Sequence, residues 1–329
     1  MNSDVIRIKC PSSKIKKQER IDQLYGNLKE WIYSDALNDL LALYNVTINE
    51  HLDFKEYVKE LQAAASESWD FRRKKAKKEN SAEPIERWLV EDEQFVLDHQ
   101  KTILENARKL GLIDITDPLF VPDYICPLGG ARLANLYRCL AAQSVIDENG
   151  WKNKKIVALS GTRPISEIEL PYLEQYAKDA STEYDAICKG LEHAFALDDY
   201  QEKRIVSKNV NSCAAIREYK KKYHGSVVYS VAAPSSAPDT RRANSVDTFE
   251  YFLNQFNVNR NEKILLTTSC IYQPFQLLRF IMLGLEHDFE VDCIGVGANI
   301  DGTSFSKPSN YLQEIKATID AVKNFCDKY

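Results

Sequence analysis

Four short segments of the chain combine glycine, hydroxyl residues and arginine. They are Leu128-Gly129-Gly130-Ala131-Arg132, Ser160-Gly161-Thr162-Arg163-Pro164, Ala233-Pro234-Ser235-Ser236 running on to Arg241-Arg242-Ala243-Asn244, and Thr267-Thr268-Ser269. Glycine lets the backbone turn sharply and come close to a ligand. A helix that starts after such a turn offers unpaired N–H groups and a partial positive charge to an anion. Arginine adds a planar fork that matches carboxylate or phosphate. This is the chemistry of a small anionic or nucleotide-type ligand. Arg132, Arg163, Arg241 and Arg242 would hold the anionic moiety. Gly129, Gly130 and Gly161 would shape a backbone cradle, and Thr162, Asn244, Asp247, Thr268 and Ser269 would supply directed hydrogen bonds. Glu169, Glu183 and Asp247 are the candidate general bases.

Each residue also has an ordinary explanation. Gly129-Gly130 alone fits a plain turn. Arg163-Pro164 fits a salt bridge ahead of a helix. Asn244 fits an N-cap with Ser245 and Asp247 in the first turn, and Glu183 and Asp185 fit a helix start that favours acidic side chains. The coincidence of the four segments, rather than any one of them, points to a site.

Standard catalytic signatures are absent: the sequence has no GxxxxGK[ST], no full GxGxxG, no HExxH and no GxSxG. The five histidines are isolated, and His193 and His287 read as structural or surface residues. The eight cysteines are scattered without a CxxC pair. They read as reduced, mostly buried thiols of a cytoplasmic protein, with no zinc cluster.

The elements that must position these segments follow from periodicity. Tyr124–Leu128, Lys155–Leu159, Val227–Ala232, Lys263–Thr268 and Glu290–Val296 are short apolar runs, the pattern of strands covered on both faces of a parallel sheet. Helical spacing lies between them, over Leu133–Val145, Ser166–Ala180, Thr182–Phe195, Ser212–Tyr223, Ser245–Phe256 and Pro274–Leu285. The predicted fold is α/β: a doubly wound, mainly parallel sheet of about five strands with an α-helical N-terminal region. In such sheets ligands bind beyond the carboxyl ends of the strands, where four of the five runs meet the conspicuous segments. Residues 14 to about 112 read as helices, with Gly111 as a terminator. The character changes at Asp117-Pro118, which predicts a helical region over 1–117 and a ligand-binding domain over 118–329. Within the helical region, the basic run Arg72–Lys78, flanked by Trp69, Phe71 and Trp88, fits a solvated helix end or loop, or a surface for phosphate-rich partners.

The motifs also resemble the YdcF/SanA/ElyC-like family. The resemblance rests on LGGARLANLYR (Leu128–Arg138), ALSGTRPISEIE (Ala158–Glu169), RRANSVDTFEYF (Arg241–Phe252) and LLTTSCIYQPFQLLR (Leu265–Arg279). It departs from the family at Tyr272 and Gln273, where the family has histidine, and in the long helical N-terminus. The resemblance implies a Rossmann-like domain and S-adenosylmethionine as a possible ligand, with links to cell-envelope processes.

Composition narrows the function classes. The chain has 329 residues, 43 Lys and Arg against 48 Asp and Glu, and a net charge of −5. A general nucleic-acid binder is usually basic, so that class loses ground. No apolar run reaches the ~18–20 residues that span a bilayer, and the N-terminus has no apolar segment of a secretory signal. Two readings remain. One is a binder of, or enzyme acting on, a small anionic molecule at the sheet edge. The other is a non-catalytic regulatory or scaffold protein that uses its helical half for partners, or for a homo-oligomer.

Overall fold

A computed structural model describes residues 5–81, 85, 89–297 and 307–329. Trp88 lies outside the described residues. Among the described residues, six α-helices come first: α1 (Lys17–Ile32), α2 (Asp35–Leu43), α3 (Phe54–Trp69), α4 (Phe71–Lys78), α5 (Gln94–Asp98) and α6 (Gln100–Lys109). Side-chain oxygens start three of them. Ser34 accepts from the Leu37 amide, Asp53 from Glu56 and Asp70 from Arg73, each bonding one of the donors a helix N-terminus leaves over. Just beyond α6, Gly111 takes φ +81°, the left-handed conformation that glycine adopts without a Cβ penalty.

The second half alternates. β1 (Tyr124–Pro127), α7 (Ala134–Glu148), β2 (Lys155–Ser160), α8 (Leu170–Leu173) and α9 (Glu183–Phe195) lead to β3 (Tyr200–Ile205), β4 (Ala214–Tyr223) and β5 (Ser226–Ala232). Then follow α10 (Ser245–Phe256), β6 (Lys263–Ser269), α11 (Gln273–His287), β7 (Glu290–Val296) and α12 (Pro308–Lys328). Among the described residues no strand precedes Tyr124.

The strands form one seven-stranded sheet in the order β3-β4-β5-β2-β1-β6-β7. The five strands expected from sequence run parallel to one another. The expectation of about five strands is corrected by β3 and β4, which add an antiparallel edge next to β5. The helix expected over Ser212–Tyr223 is β4. Its run of Ala, Arg, Glu and Lys suits a helix, yet Ala215, Arg217 and Tyr219 are buried at alternate positions. The buried arginine hides the period of two. β3 is almost wholly exposed, so it carries no apolar signature. The helix expected over Ser166–Ala180 is reduced to a 3₁₀ turn at Glu167–Glu169 and the four residues of α8.

Both faces of the parallel part of the sheet are covered. Ile125, Ile156, Ala158, Val228, Leu265 and Ile294 pack against α7 and α9 through Cys139, Ala142, Ile146, Ile187 and Leu191. On the other face, Phe252 of α10 meets Tyr124 at 5.3 Å and Phe249 meets Phe289 at 5.6 Å. From β1 the chain builds outward to β2 and β5, then crosses to β6 and β7 on the opposite side. The winding direction therefore reverses between β1 and β6, the place where open sheets leave a crevice at their carboxyl edge.

The chain falls into two compact units. One comprises Thr116–Ser269 and Glu286–Val296 and holds the sheet. The other is helical. To Met1–Ile115 it adds Cys270–Leu285 and Gly297–Tyr329, so it is discontinuous in sequence. In it α12 packs against α3 and α6, and Arg20 donates to the Gly284 carbonyl at 2.9 Å. Among the described residues no helix is long and apolar enough to cross a membrane.

Candidate functional site

At the carboxyl edge, the crevice between β1 and β6 is occupied by a side chain of the protein itself. Arg138, from α7, is 2% exposed. It donates to the carbonyls of Leu128 at 2.9 Å and Gly129 at 2.5 Å and to Ser269 Oγ at 3.1 Å. The Thr267 hydroxyl donates to the Arg138 carbonyl at 2.8 Å. Arg138 thus ties the ends of both strands to the helix that follows β1. The residue stands in the sequence as one more polar position of a helix, and only the strand order shows its importance.

The glycine turn has its donors engaged. The Gly129 N–H donates to the Leu159 carbonyl at 2.6 Å, and the Gly130 N–H to Asn135 Oδ1 at 3.0 Å. Asn135 returns a bond to the Gly130 carbonyl at 2.7 Å. The two glycines are needed for space. A methyl group on Gly129 would meet Glu183 Oε1 at 2.5 Å and Ser160 Cβ at 2.8 Å, and one on Gly130 would meet Ala134 and Arg138 at 3.0 Å. A methyl group on Gly161 would meet nothing.

Around this turn the structure gathers Arg132, Arg163, Glu169 and Glu183. Arg163 donates to Glu169 at 2.7 and 2.9 Å and to Glu183 Oε2 at 3.1 Å. Burial disfavours the charge of Arg163, but the two carboxylates outweigh it and raise the pKa. Glu169 is fully buried. Burial opposes its ionisation too, yet the Arg163 guanidinium and the N–H and hydroxyl of Ser166 hold its pKa down to about 2. It also accepts the Arg132 N–H at 3.3 Å. Arg132 has φ +56°, costly for a residue with a Cβ. The Tyr176 hydroxyl bonds its carbonyl at 2.8 Å, and its guanidinium lies 4.7 Å from the centre of the Tyr172 ring.

A second group forms at the start of α10. Asn244 caps the helix, accepting from Val246 and Asp247 at 2.8 and 3.1 Å. Asp247 accepts from the Asn244 N–H at 2.8 Å, the Ser236 N–H at 3.3 Å and both terminal nitrogens of Arg241. Burial works against its charge, but these donors hold its pKa well below the usual carboxylate range. The Thr248 hydroxyl donates to the Ser160 carbonyl at 3.3 Å, joining this group to β2. Arg242 is exposed. Thr162 donates to the Val210 carbonyl at 3.1 Å, and Thr268 is fully buried in β6.

Of the three candidate bases, Glu169 and Asp247 already accept from several donors and are held ionised, which makes them weak proton acceptors. Glu183 has one oxygen on Arg163 and the other beside Gly129. Next to it stands Ser160, the last residue of β2. It is 3% exposed, and its hydroxyl has no hydrogen-bond partner among the described residues. Ser160 was legible only as part of a Ser-Gly turn. Its signal is positional, a hydroxyl on the last residue of a parallel strand.

The comparisons with known proteins point elsewhere than the loop motifs did. Residues 16–111 match the family described as the Rv3785 N-terminal domain. Over 340 aligned residues the chain is 24% identical to a protein named uncharacterized protein Rv3785, from Mycobacterium tuberculosis, covering 97% of this chain and 94% of that one. It is equally similar to uncharacterized protein Mb3814 of Mycobacterium bovis. No solved structure matches. These matches overturn the resemblance to the YdcF/SanA/ElyC-like family, and S-adenosylmethionine, which rested on it, goes with it. The reason is physical. Gly-Gly, Ser-Gly and Thr-Ser turns are what the carboxyl edge of a parallel sheet requires in many folds, so four of them in order do not single out one family.

Proposed function

We propose that the protein binds a small polar molecule bearing an anionic group at the carboxyl edge of a doubly wound sheet, beside Ser160 and Glu183. The observation that carries this reading is the Ser160 hydroxyl, buried with no partner among the described residues. A buried hydroxyl left unbonded costs about 1–3 kcal/mol, and alanine would fit the same place without that cost. A ligand atom bonded to Ser160 Oγ removes the penalty. Gly129 lets the backbone pass close to Ser160 and Glu183, and Glu183 Oε1 is placed to accept a proton or a hydrogen bond. Arg132, in its left-handed conformation, adds a strained backbone of the kind found at functional sites. Arg242 is the exposed cation next to the α10 N-terminus. The partner-surface reading calls for an exposed apolar helix face, whereas α1, α2 and α3 bury Leu24, Leu28, Leu37, Leu40, Val58 and Leu61.

The test is Ser160→Ala against a panel of small phosphorylated and carboxylated compounds, read by thermal shift. Without ligand the variant should be more stable than the parent by about 1 kcal/mol. A compound that stabilises the parent by about 2.7 kcal/mol at a hundred times its Kd should lose most of that effect in the variant. If the variant is less stable and binds every hit as the parent does, Ser160 belongs to the scaffold.

A further inference from the structure

A cleft lies within the helical unit. It is half-open, about 890 Å³ in volume, and lined by α3, α4 and α12. Its cations come from α4 and α12. Arg73, Lys74 and Lys77 share one face of α4, and Lys316 and Lys323 lie two turns apart on α12. Five cations face three carboxylates here, in a chain where acids outnumber bases.

The carboxylates do not neutralise this excess. Asp70 and Asp320 are both held by Lys316, at 3.5 and 2.8 Å, and Gln62 donates to Asp320 at 2.9 Å. With Lys316 14% exposed and Asp70 12%, this triad is the floor. Arg73 is 72% exposed and 4.0 Å from Asp70. Lys74 donates to the Ser68 carbonyl at 2.8 Å, and Lys323 pairs with Asp327 at 2.6 Å along α12. Lys77 is exposed, and its ammonium makes no ion pair or hydrogen bond among the described residues. Basic residues in the last turn of α4 also suit the helix dipole, but that accounts for one wall only. It does not explain lysines on α12 facing the same space.

We infer that this cleft binds a small molecule carrying two or more phosphate groups, with Arg73, Lys74, Lys77 and Lys323 as its cationic rim. The volume lies within the range of about 300–1,000 Å³ usual for small-molecule sites. A cleft of that size suits a compact polyanion, and the net charge of −5 disfavours a nucleic acid. The inference does not depend on the sheet-edge reading.

The experiment is isothermal titration of the full chain with inorganic triphosphate, with inorganic sulfate as a comparison. The proteins are the parent, the double variant Lys77→Ala/Lys323→Ala, and Ser160→Ala. The parent should bind triphosphate with a sub-millimolar Kd that weakens as salt is raised, and sulfate much less well. The double variant should lose about a hundredfold in affinity, since hydrogen bonds to charged groups each contribute about tenfold or more. Both lysines are surface residues, and a thermal melt will show that the double variant is folded. Ser160→Ala should bind as the parent does. The inference is overturned by no binding at millimolar triphosphate, by equal binding of sulfate, or by an unchanged double variant. Loss of binding in Ser160→Ala alone would overturn it too, placing the anion at the sheet edge.

Discussion

Glu169 receives five hydrogen bonds on two oxygens, from Arg163, Ser166 and the Arg132 N–H. Its ordinary pKa of 4.5 falls to about 2 against the effect of burial. A depressed carboxylate stabilises the fold above its unfolded pKa and loses that contribution as pH falls through the folded value. The window is therefore about pH 4.5 down to about 2. Between pH 5 and pH 3 the parent should lose about 2 kcal/mol through this group. Glu169→Gln, which cannot titrate, should show a shallower fall in urea unfolding while starting from a lower stability. Equal slopes would mean that Glu169 is not the group being titrated. Glu169→Ala removes one side of a buried pair and should cost about 3–5 kcal/mol. The sequence made Arg163 and Glu169 legible as polar residues near one turn. It did not show that they would bind each other, because a pairing six residues apart through a 3₁₀ turn has no helical or strand period to announce it.

Close approach between elements is decided by two glycines that look alike in sequence. Gly190 lies inside α9, and a methyl group there would meet the Asn135 carbonyl oxygen of α7 at 2.6 Å. Gly26 lies inside α1 with nothing within 4 Å of the same position. Alanine gains about 1 kcal/mol over glycine in a helix interior. Gly26→Ala should therefore stabilise by about 0.5–1 kcal/mol. At Gly190 the clash is with backbone, which cannot swing aside, and overpacking costs about 1–3 kcal/mol. Gly190→Ala should be net destabilising. Urea melts of the two variants check both signs, and a stabilised Gly190→Ala would contradict the close α7–α9 contact. The same distinction marks the limits of element-level reading. α10 was legible to the residue, because Asn244 caps it and its apolar residues keep helical spacing. The β3–β4 hairpin was not, because an edge strand with both faces exposed, and a neighbour that buries Arg217, give no apolar alternation.

At the scale of the chain, the composition of the helical unit sets what can be separated from what. The change of periodicity at Asp117-Pro118 is a local signal in the sequence. That α12 joins the N-terminal helices was not legible, because Gln62 and Asp320 meet across 258 residues with no sequence signal linking them. Leu312, Ile315, Ile319, Val322 and Phe325 of α12 are all fully buried, and Phe325 lies 4.9 Å from Tyr25 of α1, ring centre to ring centre. At about 1.5–3 kcal/mol per fully buried apolar side chain, these five contribute about 8–15 kcal/mol, comparable to the whole net stability of a domain at about 5–15 kcal/mol. A fragment ending at residue 117 lacks α12 and should not reach a fixed fold. A fragment from 118 onward should expose the apolar face of α12 and associate or precipitate. Expressing the two fragments together should restore a soluble complex, because each supplies what the other lacks. Amide proton dispersion of the 1–117 fragment, alone and with its complement, decides the matter. A well-dispersed spectrum from the isolated fragment would show that α1 to α6 fold without α12.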